Sequence, residues 1–224
     1  MLHARPQLPL TNQAFLDGQD ADLGSSGVVI LPDQTSGPAH LLVAGGKEGR
    51  LYLLDRDVMG NYCATCTTTD TDVLQSFLAA PAIFGTPAFW QNKLYLGGTA
   101  DALSLVAFDA TTGNFNTVAS SQSATSFQFP GPTPSLSAQG ASGGVLWAID
   151  SSRYGVPSAF GTGPAILHAY DAANLSSELW NSSLAANNRD TAGNAVKFTV
   201  PTVANGKVYI GTRTEIDVYG LFPN

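Results

Sequence analysis

Two cysteines stand close together in Cys63-Ala64-Thr65-Cys66, and this pair is the most conspicuous chemistry in the chain. Covalent haem attachment needs a histidine directly after the second cysteine, and Thr67 occupies that place. A zinc site needs further ligands, but His3, His40 and His168 are widely separated in sequence. A thioredoxin-like redox pair needs a βαβ setting, and no helix is expected after this Thr-rich stretch. Two readings stay open: a local loop disulfide between Cys63 and Cys66 in an oxidising compartment, or two inert thiols.

Other polar residues carry weaker signals. Lys47 and Glu48 fall in a turn between two strands, where a charged pair is usually solvated; a cofactor-binding role for Lys47 is the functional alternative. Asp20 and Asp22 form an Asp-x-Asp that suits either a cation or turn chemistry. Arg153 and Arg213 follow strand ends and read as surface contacts. His168 lies in an apolar strand, which favours a satisfied sheet histidine over a catalytic base. Asn174-Leu-Ser and Asn181-Ser-Ser match the glycosylation pattern. No Gly-x-Ser-x-Gly nucleophile elbow is present, and no catalytic residue or metal site is assigned.

The elements that would position these residues are β-strands. Gly (23) and Pro (13) are abundant, and only 12% of the residues are charged, as expected of a turn-rich chain with few exposed helices. The formal net charge is −7 and the ten basic residues form no run, which argues against a nucleic-acid partner. No apolar stretch is long enough to span a bilayer as a helix, and the first residues lack the apolar core of a signal peptide.

Four segments repeat one plan of three strands. The first joins Ser26 to Pro32, His40 to Gly46 and Arg50 to Asp55. The second joins Thr86 to Trp90, Lys93 to Gly98 and Leu103 to Asp109. The third joins Thr133 to Ser137, Gly144 to Asp150 and Ala165 to Asp171, with an insertion over residues 151–164. The fourth joins Val200 to Val203, Lys207 to Thr212 and Glu215 to Gly220.

Alternation in the fourth segment places Val208 and Ile210 on one face and Tyr209 on the other. Asn205-Gly206 and Asn92-Lys93 supply tight hairpin turns. After the third segment, Ser177 to Ser182 reads as an outer strand carrying Trp180. The Ser/Thr-rich, then Pro-rich, residues 120–134 read as another outer strand and a linker. No such sheet buries both faces alone, so the repeats must stack.

The expected fold class is all-β: a β-propeller of four-stranded antiparallel blades, about four of them present, as part of a larger propeller. The expected blades are residues 22–80, 81–128, 129–184 with the insertion, and an incomplete 185–224, after an irregular segment 1–21. The fourth repeat has no outer strand of its own. Two sources for one are considered: remaining blades upstream of Met1, or residues 1–21 paired to Glu215–Tyr219. Trp180, Trp90, Asp55, Asp109 and Asp171 are expected to be structural, the aromatic residues through packing between blades.

The repeats, with Lys47-Glu-Gly-Arg-Leu-Tyr-Leu-Leu-Asp-Arg56 and the following Asp57 to Gly60, resemble the pyrroloquinoline-quinone-like propeller family. That family includes quinoprotein alcohol dehydrogenases and outer-membrane assembly lipoproteins. The resemblance implies a periplasmic or extracellular protein. In its enzymes, the quinone and a calcium ion are held by a catalytic aspartate, calcium-binding Glu and Asn, a stacking Trp and adjacent cysteines. The sequence has no adjacent cysteine pair and no Gly-Asp-Asn motif. The first expectation is therefore a binding or scaffold module whose rim loops take a protein or saccharide partner. The second is a fragment of a quinone-dependent alcohol or sugar dehydrogenase, with cofactor residues in other blades.

Overall fold

Strand formation follows the alternation in the sequence, but nearly every inner strand is apolar on both faces. The computed structural model describes residues 12–60, 72–156 and 159–220. In the strand Lys93–Gly97, Leu94 and Leu96 point to one side and Tyr95 to the other, and all three are buried. A strand buried on both faces needs a sheet on each side of its own.

The described residues form sixteen strands in four antiparallel sheets. The first sheet contains β1 (Val29–Ile30), β2 (Leu41–Gly45), β3 (Arg50–Asp55) and β4 (Val73–Leu78), in that order. The second contains β5 (Ala88–Trp90), β6 (Lys93–Gly97), β7 (Asp101–Asp109), the short β8 (Asn114–Phe115) and β9 (Ser121–Phe127), with both β8 and β9 on β7. The third contains β10 (Ser135–Gln139), β11 (Ser142–Asp150), β12 (Ile166–Asp171) and β13 (Asn174–Asn181). The fourth contains β14 (Thr202–Ala204), β15 (Lys207–Gly211) and β16 (Ile216–Gly220). Each sheet is a meander, and each passes by a linker to the innermost strand of the next. This is the architecture of a β-propeller with four blades.

Three apolar cores lie between neighbouring blades among the described residues. Leu41, Val43, Leu51 and Leu53 of the first blade meet Leu94, Leu96, Val106 and Phe108 of the second. Tyr95, Leu103, Leu105 and Phe127 meet Leu146, Ala148 and Tyr170. Ile149 and Leu167 meet Val208 and Ile210, the pair that the alternation places on one face. Each core belongs to two blades at once.

Polar groups fix the registers. Asp55, Asp109 and Asp171 end the third strand of successive blades, and each carboxylate accepts the backbone N–H two residues on, from Asp57, Thr111 and Ala173 at 2.8–2.9 Å. This turns the chain toward the outer strand. Between the first two blades, Gln75 donates to the Phe115 carbonyl and accepts from the Phe115 N–H, both at 2.8 Å. Trp90 lies on the third blade and donates to the Gly140 carbonyl. A methyl group on Gly144 would sit 2.6 Å from that indole, so the site requires glycine.

Several local expectations change. The second hairpin turns on Gln91 and Asn92, both at positive φ, rather than on Asn92-Lys93, because Trp90 and Lys93 pair across the turn. The second blade gains β8, which the repeat pattern does not contain. Residues 13–18 of the segment expected to be irregular form one short helix, α1 (Gln13–Gly18). On either side of it the chain lies against the first blade, with Asn12 donating to Glu48 before the helix and Asp20 and Asp22 paired to the Lys47 ammonium after it. The described part of residues 1–21 is therefore not paired to β16, whose only partner among the described residues is β15.

Candidate functional site

The linkers between blades bring together side chains that no single repeat reveals. Each linker is pinned by a buried residue, Ile83, Phe127 or Ala195, and then presents a phenylalanine: Phe84, Phe129 and Phe198. The three rings converge. Phe84 and Phe129 are 5.3 Å apart edge to face, Phe129 and Phe198 are 6.0 Å apart, and Phe84 and Phe198 are 6.3 Å apart. Such separations are those of interacting aromatic pairs. Tyr154, from the insertion in the third blade, completes the group at 6.2 Å from Phe129.

A cation sits among these rings. The Lys197 ammonium lies 5.6 Å from the rings of Tyr154 and Phe198 and 5.9 Å from that of Phe129. This is cation–π distance. The Arg213 guanidinium donates to the Tyr154 carbonyl at 2.6 Å, and Arg153 precedes Tyr154 in the chain. Ion pairs among the described residues use Lys47, Arg56, Arg189, His40 and His168, but none uses Arg153, Lys197 or Arg213. Lys197 and Arg213 thus stand at the ring group as two cations without a carboxylate among the described residues, in a protein of net charge −7.

Phe198 is the least comfortable residue in the group. Its side chain is 55% exposed, and its backbone has a φ of +66°. An L-residue with a bulky side chain pays about 1–3 kcal/mol for that conformation. Neither the strain nor the exposure is explained by core packing.

Elsewhere, a concavity of about 730 Å³ opens between the third and fourth blades. Trp147, Ala169, Leu179, Trp180, Val208 and Tyr219 line it, and the unpaired edge of β16 forms one side. The Trp180 and Tyr219 rings meet edge to face at 5.6 Å. Tyr219 donates to the Asp190 carbonyl, and burial pushes its phenol up to about 12. The Arg189 guanidinium beside it holds the Asp190 carboxyl below the usual range.

The residues singled out in the sequence are dispersed. Lys47 is bonded to Asp20 and Asp22 at 3.0 and 2.7 Å, which raises its pKa and ties the N-terminal segment to the first blade. Glu48 is held by Asn12 and the Tyr52 hydroxyl. Asn174 and Asn181 each accept from the serine two residues on, so both glycosylation-like triplets make Asx-turn contacts. Cys63 and Cys66 lie outside the described residues.

His168 is only half satisfied. Its Nδ1 lies 2.7 Å from Glu178, its ring is stacked on Tyr170, and its buried Nε2 has no hydrogen-bond partner among the described residues. No group of three or more His, Cys, Asp or Glu able to hold a metal occurs among the described residues. None of the described helices is long and apolar enough to cross a membrane.

The fold makes this chain a β-propeller protein, with an aromatic and basic cluster where its blades are joined. No protein-family model matches the sequence, and no curated protein sequence matches it. The solved structures to which the chain is similar include the following two. One is the computationally designed Ika8 protein, with a TM-score of 0.49 and 12% identity, covering 86% of this chain and 46% of that one. The other is BamB from Moraxella catarrhalis, with a TM-score of 0.36 and 14% identity, covering 88% of this chain and 60% of that one. The chain spans less than two thirds of the length of either.

Proposed function

We propose that this chain is a binding or scaffold module rather than a catalyst, and that it engages its partner where the linkers converge. The observation that carries the reading is Phe198, exposed and held at positive φ within a ring cluster that surrounds a lysine without a carboxylate partner among the described residues. Strained residues persist where the surrounding structure enforces them, and such places concentrate at binding and catalytic sites. The cluster offers apolar area and positive charge.

The periplasmic or extracellular location and the kinship to quinoprotein-like repeats belong to this proposal. Both rest on the resemblance of the repeats and of the Lys47 to Gly60 segment. The competing reading is a portion of a quinone-dependent dehydrogenase. Titration with pyrroloquinoline quinone and calcium, followed by dye reduction with alcohols and sugars, separates the two. A binding module gives no holo absorbance and no dye reduction; turnover overturns the proposal. Anilinonaphthalene sulfonate, an anionic aromatic dye, tests the surface itself. Its fluorescence in the native protein should fall sharply in Phe198→Ala, and unchanged fluorescence would remove the linker site from consideration.

A further inference from the structure

Resting on the reading of the linker cluster as a binding surface, we infer that its ligand is a peptide segment in which a large apolar side chain is flanked by carboxylates. Three chemical features of the surface select this class. The first is ring content: Phe84, Phe129 and Phe198 supply apolar area with no hydrogen-bonding group of their own. A saccharide needs its hydroxyl groups matched by polar partners, and beside the three phenylalanines only Tyr154, Lys197 and Arg213 could supply them. An aliphatic or aromatic side chain needs only area and edge-to-face contacts.

The second feature is charge. Lys197 and Arg213 touch the ring cluster and its supporting carbonyl, and neither is paired to a carboxylate among the described residues. The protein carries 17 acidic residues against ten basic ones, so two unneutralised cations at one aromatic patch form a local field opposite to that of the whole. That field attracts one or two carboxylates and repels a cationic segment.

The third feature is the Phe198 backbone. A left-handed φ at a phenylalanine fixes the ring direction at the expense of stability, so its ring is already in place before a ligand arrives. Glycine at this position would keep the chain path without the strain and would lose only the ring.

The experiment uses the whole chain and a fluorescein-labelled peptide, Gly-Ser-Asp-Asp-Phe-Asp-Gly-Ser, followed by fluorescence anisotropy at low and high salt. Companion peptides replace all aspartates with asparagine, or the phenylalanine with serine; an oligouronate is the saccharide arm. The acidic aromatic peptide should bind, and each companion should bind at least about tenfold more weakly, the loss expected for a central anchor or a charge-assisted contact. Salt should weaken the acidic peptide and leave the asparagine peptide unaffected.

Phe198→Gly should reduce affinity about tenfold while raising the thermal midpoint, and Lys197→Glu should abolish binding with the circular dichroism unchanged. Val118→Ala, at an exposed site outside the cluster, should change nothing. The inference is overturned if the asparagine peptide binds as well as the acidic one, if no peptide binds, or if Phe198→Gly binds like the parent. Binding of the oligouronate with loss in Phe198→Gly overturns the peptide class alone and leaves the surface as a binding site. Loss of the dye response in the parent protein overturns both.

Discussion

Tyr95 tests the packing between the second and third blades. Its ring is fully buried, and its hydroxyl donates to the Ala172 carbonyl at 2.8 Å, across the interface. Tyr95→Phe keeps the ring and removes the bond, leaving a buried carbonyl without that donor. The cost at pH 7 should be about 1–2 kcal/mol. In a chain of this length that lowers the thermal midpoint by roughly 3–6 °C.

The same substitution should lose its effect in alkali. Burial, reinforced by the Asp171 carboxylate, pushes the Tyr95 phenol far up. In the unfolded chain it ionises near its ordinary value of about 10. A group raised in this way contributes stability that is complete below about pH 10 and is lost as the pH climbs toward the folded-state value. At pH 11 the ionised phenol favours the unfolded wild-type chain by about 1.4 kcal/mol, a term that phenylalanine lacks. The penalty of Tyr95→Phe should therefore shrink to near zero. The assay is urea unfolding by circular dichroism at pH 7 and pH 11, where the other tyrosines contribute equally to both proteins. An equal penalty at both pH values, or none at pH 7, refutes the reasoning.

Three further outcomes follow from the contacts between blades. Gln75→Ala strips both backbone groups of Phe115 of their partner and should cost about 1–3 kcal/mol in chemical unfolding, whereas Gln75→Glu should recover only the acceptor half. His168→Phe keeps a ring between Phe127 and Tyr170 and removes both the unpartnered Nε2 and the Nδ1 contact to Glu178, which retains the Asn181 donor; the two losses offset, so the stability by urea unfolding should stay within about 1 kcal/mol of the parent, and a larger fall would show that the Glu178 contact outweighs the unpartnered nitrogen. Trp180→Ala enlarges the concavity beside β16 and removes the ring against Tyr219; it should cost about 2–4 kcal/mol by urea titration and bring the Tyr219 phenol, now less buried, down from about 12 in a spectrophotometric titration.

Local chemistry was legible in the sequence wherever it repeats. The alternation around Tyr209, the aspartates that close third strands and the Asn205-Gly206 turn all act within a few residues of themselves, so one sequence suffices to read them. The inner strands were legible for the same reason.

The linker cluster was not. Phe84, Phe129 and Phe198 come from three different linkers, and only the stacking of whole blades brings their rings together. A weak signal existed, since each of these phenylalanines stands a few residues before a proline that leads into a first strand, as at Pro87, Pro134 and Pro201. The role of Lys47 was hidden by the same long-range geometry. Asp20 and Asp22 reach it only after the N-terminal segment folds back along the first blade.

The sharing of each apolar core by two blades makes this molecule a short one-dimensional lattice. In such a lattice stability resides in the bonds between sites rather than in the sites. The second and third blades each take part in two of these bonds, whereas the fourth takes part in one. Opening the lattice at the fourth blade breaks one bond and leaves the remaining pair intact, so fluctuations that expose β16 are cheaper than those that expose β7. The linker cluster draws rings from both sides of every bond, and a ligand held there would clamp the lattice at several junctions at once. Occupancy would then be felt as rigidity far from the contact surface, carried by the junctions and without any new strand or core.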